Sequence, residues 1–331
     1  MRLRCLAVWL ATVLWPPSAL AAGGAACVFV TNQDAATVSV IDTASDEVAA
    51  TIPVAFAPAS IAVDRDGTTL YVTHPERGEI SVIDAGKREV VRSLKVSGTP
   101  FGIAVSQDNT LFVSDWNKNT VTAINPMTGA ELRKVEVGRS PAGIVTSPRG
   151  ALVFVANRES DSLTILNATT LSVVATIPVG RAPFALTVSP DATRVYVANV
   201  QSADLSVIST DTLRTIKTVP VGHMPYGVAT TIDGGRILVS NQSAGSVAVI
   251  DSGELRVLRQ AKVGRFPEGI VVEPRGIKAY VANWFSGDVS VLDVASGREL
   301  KRLSTGGGAR TLAVVAARAS ASEAPPAGAH Q

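Results

Sequence analysis

The chain has only two cysteines, three histidines and 5% aromatic residues, and each shortage removes a class of protein. Cys5 lies in an N-terminal apolar run that reads as a cleaved leader, which leaves Cys27 without a partner for an intrachain disulfide. A disulfide-stapled scaffold is thereby excluded, and Cys27 reads as a small apolar residue at the start of a strand. His74, His223 and His330 are scattered, with no HxxxH, HExxH or Cys/His cluster, so the pattern gives a transition-metal centre little to build on. There is no CxxCH for covalent haem, no nucleophile elbow, no P-loop and no dinucleotide fingerprint. Sustained helical periodicity is also missing.

The leader consists of Arg2 and Arg4, an apolar run over residues 6–15, and the small-residue cleavage site Ala19-Leu20-Ala21. That run is too short to span a membrane, so no membrane insertion is expected. Gly24-Ala25-Ala26-Cys27 lacks the Leu-like residue that a lipoprotein signal places three positions before its Cys. The domain plan is therefore a signal peptide over 1–21, a single folded domain over 22–316 and a disordered Ala/Pro-rich tail over 317–331. The destination is the periplasm or the exterior. Processing removes two arginines and no acid, leaving 28 basic and 28 acidic residues. A neutral chain has no general field to gather nucleic acid or an anionic membrane; such binding needs a local patch.

What is present is a short phrase repeated seven times. It reads VFVTN, LYVTH, LFVSD, VFVAN, VYVAN, ILVSN and AYVAN, ending at residues 32, 74, 115, 157, 199, 241 and 283. The steps are 41 or 42 residues, a period that marks a propeller or an array. Each period holds four apolar segments of four to seven residues, separated by Gly, Pro, Asn and Asp. A four-stranded antiparallel sheet repeated radially is a β-propeller blade. With the strand after the Pro turn named A and the repeated phrase B, the processed chain opens on B, C and D and closes on an unpaired A near 311–316. The fold class is all-β, a seven-bladed propeller closed by pairing of the C-terminal strand A with the N-terminal strands B to D. A monomer is expected.

The D-to-A and B-to-C connections share one face at the channel mouth. After the Gly of successive D-to-A loops come Arg139, Arg181, His223 and Arg265. After the Pro come Ala59, Phe101, Ala142, Phe184, Tyr226 and Glu268, and the last blade places Arg310 there. Guanidinium groups around a concave mouth suit a carboxylate or phosphate, and the aromatics would supply an apolar floor. The alternative is a solvated rim in which Glu268 and Arg310 simply pair. Trp116 and Trp284, each directly after a B phrase, could stack on a base, a sugar or a partner, or could cover blade edges. The Asn closing five of the phrases has a structural task, bonding backbone groups where the chain leaves the strand. His74 and Asp115 replace it in two neighbouring blades. Asp64-Arg65-Asp66-Gly67 and Asp233-Gly234-Gly235 read as hairpin turns, not calcium loops.

The phrases YVTH, YVAN and FVAN, strands of the SVID type at 39–42, 81–84 and 290–293, and the V-G-x-x-P-x-G turns at 137–143, 221–227 and 263–269 resemble the YVTN-repeat β-propeller family. The resemblance spans residues 28–316. It implies the propeller fold and leaves function open among surface-layer proteins, a periplasmic propeller that binds single-stranded DNA, and propellers accompanying quinone-dependent oxidation. Related rings serve lactonases and the haem d1 domain of nitrite reductases, but no motif of theirs transfers residue by residue. His74 and His223, the two histidines available as axial ligands, both read as loop residues. The first expectation is thus a non-enzymatic exported binding or scaffold protein. It needs no cofactor, and its mouth face takes a protein partner, a small anion or single-stranded nucleic acid. The second is an enzyme or redox accessory with a metal or pigment in the channel.

Overall fold

The computed structural model describes residues 26–316, and the leader and the tail lie outside them. The described residues form seven four-stranded antiparallel sheets, each with A innermost and D outermost. The strand periods match the sequence because β-branched and aromatic residues alternate with small ones that pack face to face between blades. In blade 4, A is Pro141–Thr146, B is Leu152–Asn157, C is Ser162–Asn167 and D is Val173–Pro178. Blade 1 is made from both ends of the chain: Ala309–Val315 supplies A, and Cys27–Asn32, Thr37–Asp42 and Glu47–Pro53 supply B, C and D. The closing pair runs antiparallel from Cys27 opposite Val315 to Asn32 opposite Ala309, with one irregularity after Val30.

Seven apolar clusters fill the spaces between adjacent blades, so each blade is buried only by its neighbours. The junction of blades 7 and 1 carries an additional polar tie. Lys278 Nζ donates to Thr43 O at 2.6 Å and pairs with Asp46 Oδ1 at 2.7 Å, and Tyr280 donates its hydroxyl to that same oxygen at 2.5 Å. Burial beside Asp46 raises the Tyr280 phenol well above its usual range, so it stays a donor.

The residue closing each B phrase is fully or almost fully buried, and strand hydroxyls join the expected backbone bonding, which Asn32 makes to Thr305 O at 3.2 Å. Asn32, Asn157, Asn199 and Asn283 donate Nδ2 to a hydroxyl seven positions on in strand C, at 2.8–2.9 Å. Asn241 meets Ala248 at that position and turns instead to Val221 O at 3.1 Å. His74 was read as a loop residue, but it ends a strand and is wholly buried, with Nε2 2.9 Å from Ser81 Oγ and Nδ1 3.1 Å from Phe56 O. Burial holds its pKa below the usual histidine range, so a neutral imidazole takes the amide's place. Asp115 instead accepts the N–H groups of Asn117 and Lys118, closing its turn. An Asn199→Ala variant is expected to lose about 1–3 kcal/mol of stability in chemical denaturation, because the Ser206 hydroxyl then loses its buried donor. An unchanged midpoint would remove this structural assignment.

Candidate functional site

At the mouth, the residue after each D-to-A proline forms a ring of seven: Ala59, Phe101, Ala142, Phe184, Tyr226, Glu268 and Arg310. Strand B of the preceding blade fixes the backbone of several of them. Thr73 Oγ1 donates to Phe101 O at 2.6 Å, Ser114 Oγ to Ala142 O at 2.9 Å, and Ser240 Oγ to Glu268 O. Thr311 serves Ala59 O at 3.2 Å. The glycine that follows in the P-x-G turn permits this close approach. A Cβ on Gly102 would lie 2.2 Å from Ala142 O, and one on Gly227 would lie 2.2 Å from Glu268 O.

The ring is divided into an aromatic half and a charged half. Ala142 is small enough for Phe101 and Phe184 to meet across it, with centroids 5.8 Å apart. Tyr226 stacks on Phe184 at 4.1 Å, and Trp116 rests against Phe101 at 4.9 Å and Phe184 at 6.4 Å. These aromatics therefore pack on one another across the mouth, where the sequence suggested an open apolar floor. In the charged half, Arg310 Nε stands 3.4 Å from Glu268 Oε2, with side-chain exposures of 14% and 7%. Arg310 also donates to Gln33 Oε1 at 2.6 Å and lies 5.4 Å from the Phe101 centroid, while Gln242 donates to Glu268 Oε1 at 2.8 Å.

Burial pushes the Glu268 carboxyl up to about 7, against the opposing effects of Arg310 and Gln242. Burial likewise lifts the Tyr226 phenol to about 12, with the Glu268 charge adding to the rise. Glu268 Oε2 accepts no hydrogen bond among the described residues, so its ionised form rests on the Arg310 ion pair and the single Gln242 bond to Oε1.

Gln33, Gln242 and Arg158 were not singled out from the sequence. They occupy the same register as Trp116 and Trp284, the first residue after a B phrase, and that register forms a second ring above the first. The signal was visible in the repeat alignment. What it lacked was the spatial proximity that joins Gln33 to Arg310 within blade 1 and Gln242 to Glu268 across two blades.

Arg139, Arg181, His223 and Arg265 are exposed on the D-to-A loops around this plug. Arg139 folds onto Glu159 O, with Nη2 at 2.7 Å, and Arg265 reaches Phe285 O at 3.4 Å. The structure does not bring Trp116 and Trp284 together, and neither is the fully exposed platform suggested by the sequence. Both are half-buried. Trp284 packs on Phe285 at 4.8 Å, and its buried Nε1 finds no acceptor among the described residues. No three His, Cys, Asp or Glu side chains converge as a metal site would require, again among the described residues.

The chain is thus a closed seven-bladed β-propeller whose mouth is filled by its own side chains, with basic residues left around the rim. The profile of the YNCE-like beta-propeller family matches residues 17–110 and 103–195, more than half of the chain, and the chain belongs to that family. No curated protein matches the sequence. Among solved structures, a functionally unknown protein from Desulfotomaculum acetoxidans is similar, with a TM-score of 0.77 and 15% identity over 88% of this chain and 99% of the other. The dihydro-heme d1 dehydrogenase NirN, solved in complex with DHE, gives 0.65 and 17% over 84% of this chain and 63% of its own. Kuenenia stuttgartiensis hydrazine synthase gives 0.52 and 18% over 72% of this chain and 96% of the other. At these identities the likeness is one of fold.

Proposed function

We propose that this protein is an exported, non-enzymatic binding protein whose mouth face takes an anionic partner. The observation that carries the reading is the plug: four packed aromatics and the Glu268–Arg310 pair fill the mouth, while Arg139, Arg181, His223 and Arg265 stay exposed around it. The B-to-C loops at 200–203, 242–245 and 284–287 contain no acid, which leaves Arg181, His223 and Arg265 without an opposing charge in those loops. Contact is thus made on the face, with guanidinium groups meeting carboxylate or phosphate and Trp116 and Trp284 adding apolar area.

A double Arg181→Ala, Arg265→Ala variant should bind an oligo-aspartate peptide or a short single-stranded oligonucleotide about tenfold or more weakly, with its melting temperature unchanged. Whichever probe binds more tightly identifies the class of partner. Equal affinity of variant and wild type for both would overturn the assignment. A second reading, an enzyme or redox accessory, draws on the Glu268 carboxyl, whose pKa near neutrality suits proton transfer. Export itself is tested by fractionation: the processed chain is expected with the soluble periplasm or the medium.

A further inference from the structure

The seven outermost strands present free backbone edges, which sheet proteins usually protect with charge. Six of these strands carry it. Four of them also use a basic side chain to hold the C-to-D turn of the next blade: Arg92 on Pro126 O, Arg133 on Thr169 O, Arg259 on Ala295 O and Lys301 on Ser45 O. Strand D of blade 4, Val173–Pro178, reads VVATIP and has no charge at all. Val173 and Val174 are 48% and 47% exposed. A recess runs along the blade-3 side of this strand, lined by Glu136, Val137, Thr164, Val173, Thr176 and Pro178. At its far end, among the described residues, only the Pro178 carbonyl is taken, by the Thr215 hydroxyl at 3.2 Å.

We propose that this strand is a self-pairing edge through which two copies of the chain associate. Two Val173–Pro178 strands would run antiparallel across a two-fold axis and join two blades into one eight-stranded sheet. Such an axis sets a strand against its own reverse, so charge decides which edge can do it. In blade 4 the pairs are Val173 with Pro178, Val174 with Ile177 and Ala175 with Thr176, all neutral. In blade 3 the same operation sets Glu131 against Glu136 and Arg133 against Lys134. In blade 7 it sets Lys301 against Arg302, and in blade 6 Arg256 against Lys262. Blades 2 and 5 place Arg92 and Lys217 on the axis against their own copies. Blade 1 escapes a like pair, but its strand begins with the charged Glu47, 4.0 Å from Lys301. Blade 4 therefore combines a neutral edge, exposed valines and an open flank. The contact lies on the circumference, away from the mouth face, and departs from the monomer that the sequence suggested.

A six-residue edge is small for an interface, so the dimer is weak and must be sought at high concentration. Sedimentation velocity of the processed chain from about 1 to about 300 µM should show a concentration-dependent dimer. Val174→Lys, which sets an ammonium group against the apolar Ile177 on each side of the axis, should raise the dimer dissociation constant by about tenfold or more with an unchanged melting temperature. Thr176→Asp is the second variant should the first fold poorly. Leu132→Lys, on the 50% exposed face of the blade-3 edge, should leave the dimer as it is. Three results would overturn the proposal: a monomer over the whole range, a dimer indifferent to Val174→Lys and Thr176→Asp, or one weakened equally by Leu132→Lys.

Discussion

A chain truncated after Gly308 is expected to lose its cooperative unfolding transition altogether, whereas one truncated after Ala316 keeps it. The reason lies in blade 1. Its strand A is the segment Ala309–Val315, from the opposite end of the chain to its strands B, C and D. Without it, Cys27–Asn32 becomes an open edge whose residues from Val28 onward are fully or almost fully buried in the intact protein. Two clusters are also breached, because Ala309 and Leu312 pack with Val28, Val30 and Tyr280, while Ala313 packs with Phe29 and Leu70. An exposed apolar edge of this kind pairs with other chains, so the short form should appear in the insoluble fraction. Leu312→Ala is the graded version, with an expected loss of about 2–4 kcal/mol from a residue only 9% exposed. A soluble short form with a normal melting transition would refute closure of the ring.

The second large effect is on the pH dependence of stability. The Glu268 carboxyl has a folded pKa of about 7, raised by burial from 4.5. Between those values the native state holds a proton that the unfolded chain has lost, so this group makes stability fall as pH rises from about 4.5 through 7. Above 7 the full cost applies, about 3 kcal/mol or slightly more for a shift of this size. Glu268→Gln keeps the amide-like contact to Gln242 and removes the ionisation. The variant should match wild type near pH 4 and exceed it by about 3 kcal/mol at pH 8–9. Arg310→Ala should act in the opposite direction at high pH, leaving a buried carboxylate without its cation. Parallel stability curves for wild type and Glu268→Gln would show that the carboxyl is not buried as described.

The repeat phrase, the four strands per period and the offset of the ends could all be read from residue order, because strand alternation and turn residues are local properties. Ring closure was legible for the same reason, as an A strand left without B, C and D. The ion pair was foreseen only as the alternative to a ligand site, since Glu268 and Arg310 sit at equivalent register in neighbouring blades. The rest depended on contacts between blades. The hydroxyls of Thr73, Ser114 and Ser240 look like ordinary strand residues until each is placed against a carbonyl 28 positions on. His74 resembled a loop ligand because histidine is polar. Its true partner, Ser81, is the residue at which the asparagines of four other blades find their hydroxyl. The packing of Phe101 on Phe184 required knowing that Ala142 intervenes and yields space.

Native mass spectrometry of the protein purified from its native source, with an absorption spectrum of the same sample, tests the central claim most directly. A mouth filled by Phe101, Trp116, Phe184, Tyr226 and the Glu268–Arg310 pair predicts the mass of the processed polypeptide, alone or doubled, and no visible band. A retained metal, or a bound pigment with visible absorption, would contradict the binding-protein account and make the channel a cofactor site.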